Sequence, residues 1–160
     1  MTNSRLLSDH SLWPLCTTLA EGPQSLSQHL EMLAIWNRWF ARNQPFVTLR
    51  LYADPLSLEQ AEGTARATKK WLRDGADQNI RSLVKAMVIV IPPESLEAMK
   101  HMNVEAVFGI PGGIFSDLQD ALDWIGEHRH LCDLPSVETV LQRLEQTAEP
   151  LPRETRSTKR

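Results

Sequence analysis

The sequence predicts an α/β fold: a mixed sheet of four to five strands, helices mainly on one face, and a further C-terminal helix. Three observations carry this. "AMVIVI" (86–91) is short, β-branched and wholly apolar, as a central strand covered on both faces requires. "FVTLRLYA" (46–53) alternates with period two, which marks a second strand. Segments of helical period separate these strands, and strand–helix alternation builds layered α/β domains.

The elements follow in order. Residues 1–10 are polar and are expected to be frayed. "LWPLCTTL" is a first strand weakened by Pro14, and "EGPQ" is a turn. The first helix opens at Ser25, where Ser25 and Gln28 have capping-box spacing, and runs to about Asn43 ahead of Pro45. Leu26, Leu30, Leu33, Ala34 and Phe40 follow its period and are assigned to the core. In the second strand Val47, Leu49, Leu51 and Ala53 face one way, and Thr48, Arg50 and Tyr52 the other. That second face is mixed, which predicts partial cover. Ser57 and Gln60 are placed to cap a helix over about 57–74, ended by Gly75.

Pro92-Pro93 end the central strand and start a third helix, with Met99, Met102 and Ala106 on one face. "GIPGG" is a turn into a short strand at Ile114-Phe115. Ser116, with Gln119, caps a fourth helix whose Leu118, Ala121, Leu122 and Ile125 face the core, and Gly126 ends it. After the loop "EHRHLCDLPS", a fifth helix over about 136–147 buries Val137, Val140, Leu141 and Leu144. The domain is thus expected over 11–147, with a disordered tail over 148–160.

Composition narrows the function classes. The 160 residues are 42% hydrophobic and 23% charged, with a formal net charge of −3. A globular protein is implied, and binding to nucleic acid by phosphate neutralisation is disfavoured. Two cysteines, Cys16 and Cys132, are too few for a disulfide framework, so the cytoplasm is the expected compartment. No signal peptide and no apolar run of the roughly 20 residues that a membrane helix needs is visible, so membrane insertion is not expected.

The chemical candidates are few. Ser57, near a helix start, is a candidate phosphorylation switch, because phosphate is favoured there; a plain N-cap explains the same residue. "GIPGG" lacks the spacing of a phosphate-binding loop and reads as a turn. His128, His130 and Cys132 are metal-ligand types, but no second cluster accompanies them, so no metal and no cofactor are expected. No nucleophile elbow or other catalytic signature is present, and no catalytic residue is assigned. The most informative feature is a second apolar row on the first helix: Met32, Ile35, Trp36 and Trp39. A helix covering one sheet face needs a single stripe, so this row is a candidate partner-binding surface. Cover from elsewhere in the chain is the competing account.

From about Ser25 to Trp124 the order of motifs resembles small stand-alone STAS-type proteins of bacteria, the class of anti-sigma-factor antagonists, and the structurally similar Sec14-type modules. The resemblance rests on Pro45, Phe46, Val47, Leu49 and Asp54; on Trp71-Leu72; on the apolar strand ending in Pro92; and on Phe115, Ala121, Trp124 and Ile125. Phosphorylatable STAS regulators carry an Asp-Ser-x-Gly-type turn where this chain has Asp54-Pro55-Leu56-Ser57, with no glycine. The resemblance implies a STAS-like domain and a non-enzymatic cytoplasmic adaptor or regulator that binds another protein or a second copy of itself. Its Sec14-like side implies, as the alternative, a carrier or sensor of a small apolar ligand. An enzyme using the 128–133 loop is the third reading.

Overall fold

A hairpin opens the chain: β1 (Arg5–Leu12) and β2 (Leu15–Glu21) pair antiparallel in the computed structural model, which describes residues 4–99 and 102–147. The expected fraying of residues 1–10 is corrected from Arg5 onward. Leu6 pairs with Ala20 and Leu7 with Leu19, and an Arg5–Glu21 ion pair of 3.3 Å closes the end. β1 is an edge strand, held by its backbone ladder and one neighbour, so its polar side chains conceal it. The tail over 148–160 lies outside the described residues.

The remaining elements follow the predicted alternation, except that the second and third predicted helices are each divided in two. α1 (Leu26–Phe40) begins at a complete capping box, with the Gln28 amide donating to Ser25 Oγ at 3.1 Å and the Ser25 amide to Gln28 Oε1 at 2.9 Å. β3 (Phe46–Tyr52) leads to a tight turn over Pro55–Leu58 and then α2 (Thr64–Trp71). One wide turn over Leu72–Ala76 joins α2 to α3 (Asp77–Leu83). Gly75 sits in that turn at φ 131°, a left-handed value suited to glycine. It therefore breaks the helix line, as expected, but the chain resumes as a helix beyond it. β4 (Val84–Val90), α4 (Leu96–Met99), α5 (Val104–Phe108) and β5 (Gly112–Phe115) come next. A Cβ on Gly112 would collide with the Met87 carbonyl, so glycine is required for β5 to pair with β4. α6 (Leu118–Glu127) is capped by Asp117, whose carboxylate accepts from the Gln119 amide at 3.1 Å, and not by Ser116. α7 (Val137–Thr147) ends the described chain.

The sheet is five-stranded and mixed, in the order β1-β2-β3-β4-β5, with only the β1–β2 pair antiparallel. Successive parallel strands that are also neighbours, joined by crossovers of one hand, place every connection on the same face. α1, α2, α3 and α5 accordingly pack on one face, around Trp36, Trp71, Ile80 and Val104. α6 and α7 follow the last strand and form a smaller layer on the opposite face, through Ala121, Leu122, Ile125, Val140 and Leu144. β4 and the residue after it feed both layers in alternation: Met87, Ile89 and Ile91 to one, Ala86 and Val88 to the other. It is a strand covered on both faces, as its composition required.

Arg143 ties α7 to the hairpin through Asp9, Nη2 to Oδ1 at 2.9 Å. Burial alone would raise the Asp9 carboxyl, but hydrogen bonds from Arg143 and Ser11 outweigh it and hold the group below its ordinary value. A depressed acid stabilises the fold above its unfolded pKa and loses that contribution as pH falls through the folded value. Acid titration of stability should therefore show a loss from about pH 4 downward that is smaller in Asp9→Asn. Identical acid profiles for the two proteins in urea unfolding would refute the linkage.

Candidate functional site

β2, β3 and β4 end together, and a pocket of about 250 Å³ lies over their carboxyl ends on the α1 side. Its floor is Ala20, Arg50, Tyr52 and Ile89, with Leu6 of β1 at the side. Gln28, His29 and Met32 of α1 form one wall. The 57–60 segment, Thr64, Met99 and Met102 form the other. The crevice at the carboxyl ends of parallel strands is a recurrent ligand position in α/β proteins.

The mixed face of β3 is what lines it. Phe46, Thr48, Arg50 and Tyr52 alternate away from Val47 and Leu49, which belong to the α6/α7 core. Arg50 donates through Nη2 to the Tyr52 hydroxyl at 2.6 Å and lies 3.8 Å from the Met32 sulfur. Its guanidinium is 5.9 Å from the Trp36 ring centroid and 5.7 Å from that of Tyr52. Arg50 Nε is buried without a hydrogen-bond acceptor, and among the described residues no carboxylate is within ion-pair distance of the guanidinium. His29 Nε2 meets Thr68 Oγ1 at 2.7 Å. Burial, and then the charge of Arg50, lower the His29 pKa, so the imidazole is held toward its neutral form.

The partner-surface row is corrected at three of its four positions. Ile35 is 6% exposed, and Trp36 and Trp39 are 3% exposed. Trp36 sits among Trp39, Phe40, Phe46 and Trp71, with ring centroids 6.0–6.5 Å away. Met32, the fourth, is half-buried in the pocket wall. The row faces the sheet; of the residues assigned to the core, Leu33 and Phe40 are buried, but Leu26 and Leu30 are turned outward at 37% and 47% exposed, and Ala34 is exposed too. The sheet-facing line of α1 runs His29, Met32, Ile35/Trp36, Trp39. Its first turns are polar because they roof the pocket, and a search for apolar residues alone passes over them.

Ser57 is also corrected. Asp54 caps the turn, accepting the Ser57 amide at 2.9 Å while its other contacts bind the Gly22 amide. The Ser57 hydroxyl is spent on the Asp54 carbonyl at 2.6 Å, and the residue is 4% exposed. It caps no helix: α2 starts at Thr64, after Gly63. A kinase would have to unfold the turn to reach this hydroxyl.

In the 128–133 loop the candidate ligands His128 and Cys132 turn to other partners. His128 stacks on Trp124 with centroids 3.7 Å apart, and its Nδ1 meets the Trp124 carbonyl at 2.7 Å. The Cys132 thiol lies 3.4 Å from the Pro45 carbonyl, and burial raises its pKa, away from the reactive thiolate. Among the described residues no three His, Cys, Asp or Glu side chains converge as a metal site. Nor, among them, is any helix long and apolar enough to cross a membrane.

No family model matches the chain, and no curated protein or solved structure is significantly similar to it.

Proposed function

We propose that the protein is a non-enzymatic carrier or sensor of a small, largely apolar ligand. The observation that carries this reading is the pocket over the sheet's carboxyl ends, lined by Leu6, Ile89 and three methionines beside a few convergent polar groups. Methionine thioethers are flexible and polarisable, so a wall built from Met32, Met99 and Met102 adapts to the shape of an apolar guest. At about 250 Å³ the space lies just below the ~300–1,000 Å³ of common small-molecule sites, which favours a compact guest over a whole lipid. Free cysteines at 16 and 132 favour a reducing compartment, the cytoplasm. The reading agrees with the Sec14-like side of the STAS-type resemblance, which itself stands as a proposal.

Organic extraction of the protein purified from its native source, followed by mass spectrometry, tests this. A small molecule should be released by the parent and missing from Ala20→Phe, whose ring fills the pocket floor. Recovery of nothing from the parent, or of equal amounts from a folded Ala20→Phe, would overturn it.

An adaptor that binds another protein, or a second copy of this chain, is the second reading. It is favoured by the outward-facing Leu26 and Leu30, and it moves the contact surface away from Ile35, Trp36 and Trp39. Under it, Leu30→Glu abolishes association while leaving stability within about 0.5 kcal/mol of the parent.

A further inference from the structure

We infer that the ligand of this pocket is a compact monocarboxylate, its head seated on Arg50 and Tyr52 and its apolar body against the methionines. This rests on the ligand-binding reading and names the chemistry of its guest.

The reasoning starts from charge. A guanidinium taken out of water is costly unless a counter-charge or a full set of acceptors replaces the lost hydration. Arg50 has neither. Its Nη2 is served by one phenol oxygen and a thioether, its Nε has no acceptor, and its remaining neighbours are the faces of Trp36 and Tyr52. Glu59 stands at the pocket rim, but it is exposed and lies beyond ion-pair distance. The neighbouring His29 is held toward its neutral form, so among the described residues Arg50 is the one cationic side chain of the pocket lining. The missing component is a single negative charge.

Hydrogen bonding specifies its form. Tyr52 Oη accepts from Arg50, and its own proton has no acceptor among the described residues. A phenol donor 2.6 Å from a guanidinium nitrogen presents two donors side by side, the pattern that a planar carboxylate accepts with both oxygens. Several of the other polar groups nearby are already engaged. Gln24 Nε2 donates to three carbonyls, Gln28 Oε1 closes the capping box and the Ser57 hydroxyl serves Asp54. The donors left over, on the Gln28 and Gln60 carboxamides, are uncharged, so a polyanionic head would find no second cation among the described lining residues. Beyond the head, Met32, Met99, Met102 and Ile89 offer apolar surface in a space suited to a short chain or one ring.

Isothermal titration calorimetry with sodium octanoate, the uncharged isostere octanamide and inorganic phosphate tests this on the full chain. Octanoate is expected to bind at least tenfold more tightly than octanamide, and phosphate not to bind. Arg50→Met should remove the preference while its melting temperature stays at or above that of the parent, since an uncompensated charge leaves the interior. Arg50→Lys should keep part of the preference. Equal binding of octanoate and octanamide by the parent, an undiminished preference in Arg50→Met, or phosphate binding that competes with octanoate would each overturn the carboxylate assignment and leave the ligand reading intact. Absence of binding by both octanoate and octanamide would overturn the two together.

Discussion

Trp36→Ala is expected to destabilise the protein by about 3–5 kcal/mol, the cost of emptying a large aromatic site in a packed interior. The residue is 3% exposed and touches Trp39, Phe40, Phe46 and Trp71. It therefore joins α1, β3 and α2 in one cluster, and its loss leaves all three facing a void. The indole N–H is buried without an acceptor, so Trp36→Phe should cost markedly less, because the smaller ring also removes an unsatisfied donor. Leu30→Ala is the reference on the outer face of the same helix. At 47% exposed it should cost less than about 1 kcal/mol. Urea unfolding measures all three. If Leu30→Ala proved more costly than Trp36→Ala, the orientation of α1 would be wrong and the aromatic row would regain its standing as a contact surface.

Ile89→Ala is expected to cost about 2–5 kcal/mol. Ile89 is 4% exposed near the carboxyl end of β4, paired with Arg50 on one side and Ile114 on the other. Its side chain is also part of the pocket floor, so truncation enlarges the space into which the ligand fits. Two readouts follow from one substitution: a fall in urea midpoint and a change in the length of carboxylate preferred, toward longer chains. A loss of under about 1 kcal/mol would mean that this strand position is not buried in the way described. A large loss without any shift in chain-length preference would place the ligand elsewhere.

The parts legible in the sequence are those where one local signal had one structural solution. The run around Val88 has no polar residue, and only a strand covered on both faces accommodates that. Ser25 and Gln28 satisfy each other's backbone within one turn, so the start of α1 needs no information from elsewhere. The burial of Leu122, Ile125, Val140 and Leu144 followed directly from helical period. β1 was missed because an edge strand is specified by the partner that it pairs with, and its own side chains stay polar. The caps at Ser57 and Ser116 were misplaced for a related reason: Asp54 and Asp117 lie close by and compete for the same amides, and a carboxylate accepts more strongly than a hydroxyl.

The pocket had one sequence signal, an arginine on the inward-facing side of an otherwise apolar strand. Arg50 shares its face with Phe46 and Tyr52, and the alternation placed it there without saying what would meet it. By itself, then, the sequence determined the fold class, the doubly covered strand β4 and the mixed character of the β3 face. The tertiary structure decided how α1 is turned, and therefore that Trp36 and Trp39 are core and Leu26 and Leu30 surface. It also decided that Arg50 meets no carboxylate among the described residues. Both outcomes depend on what lies across from a residue in space, set by crossovers that bring α1 over β2 and β3, and periodicity along a single segment carries no information about the opposite wall.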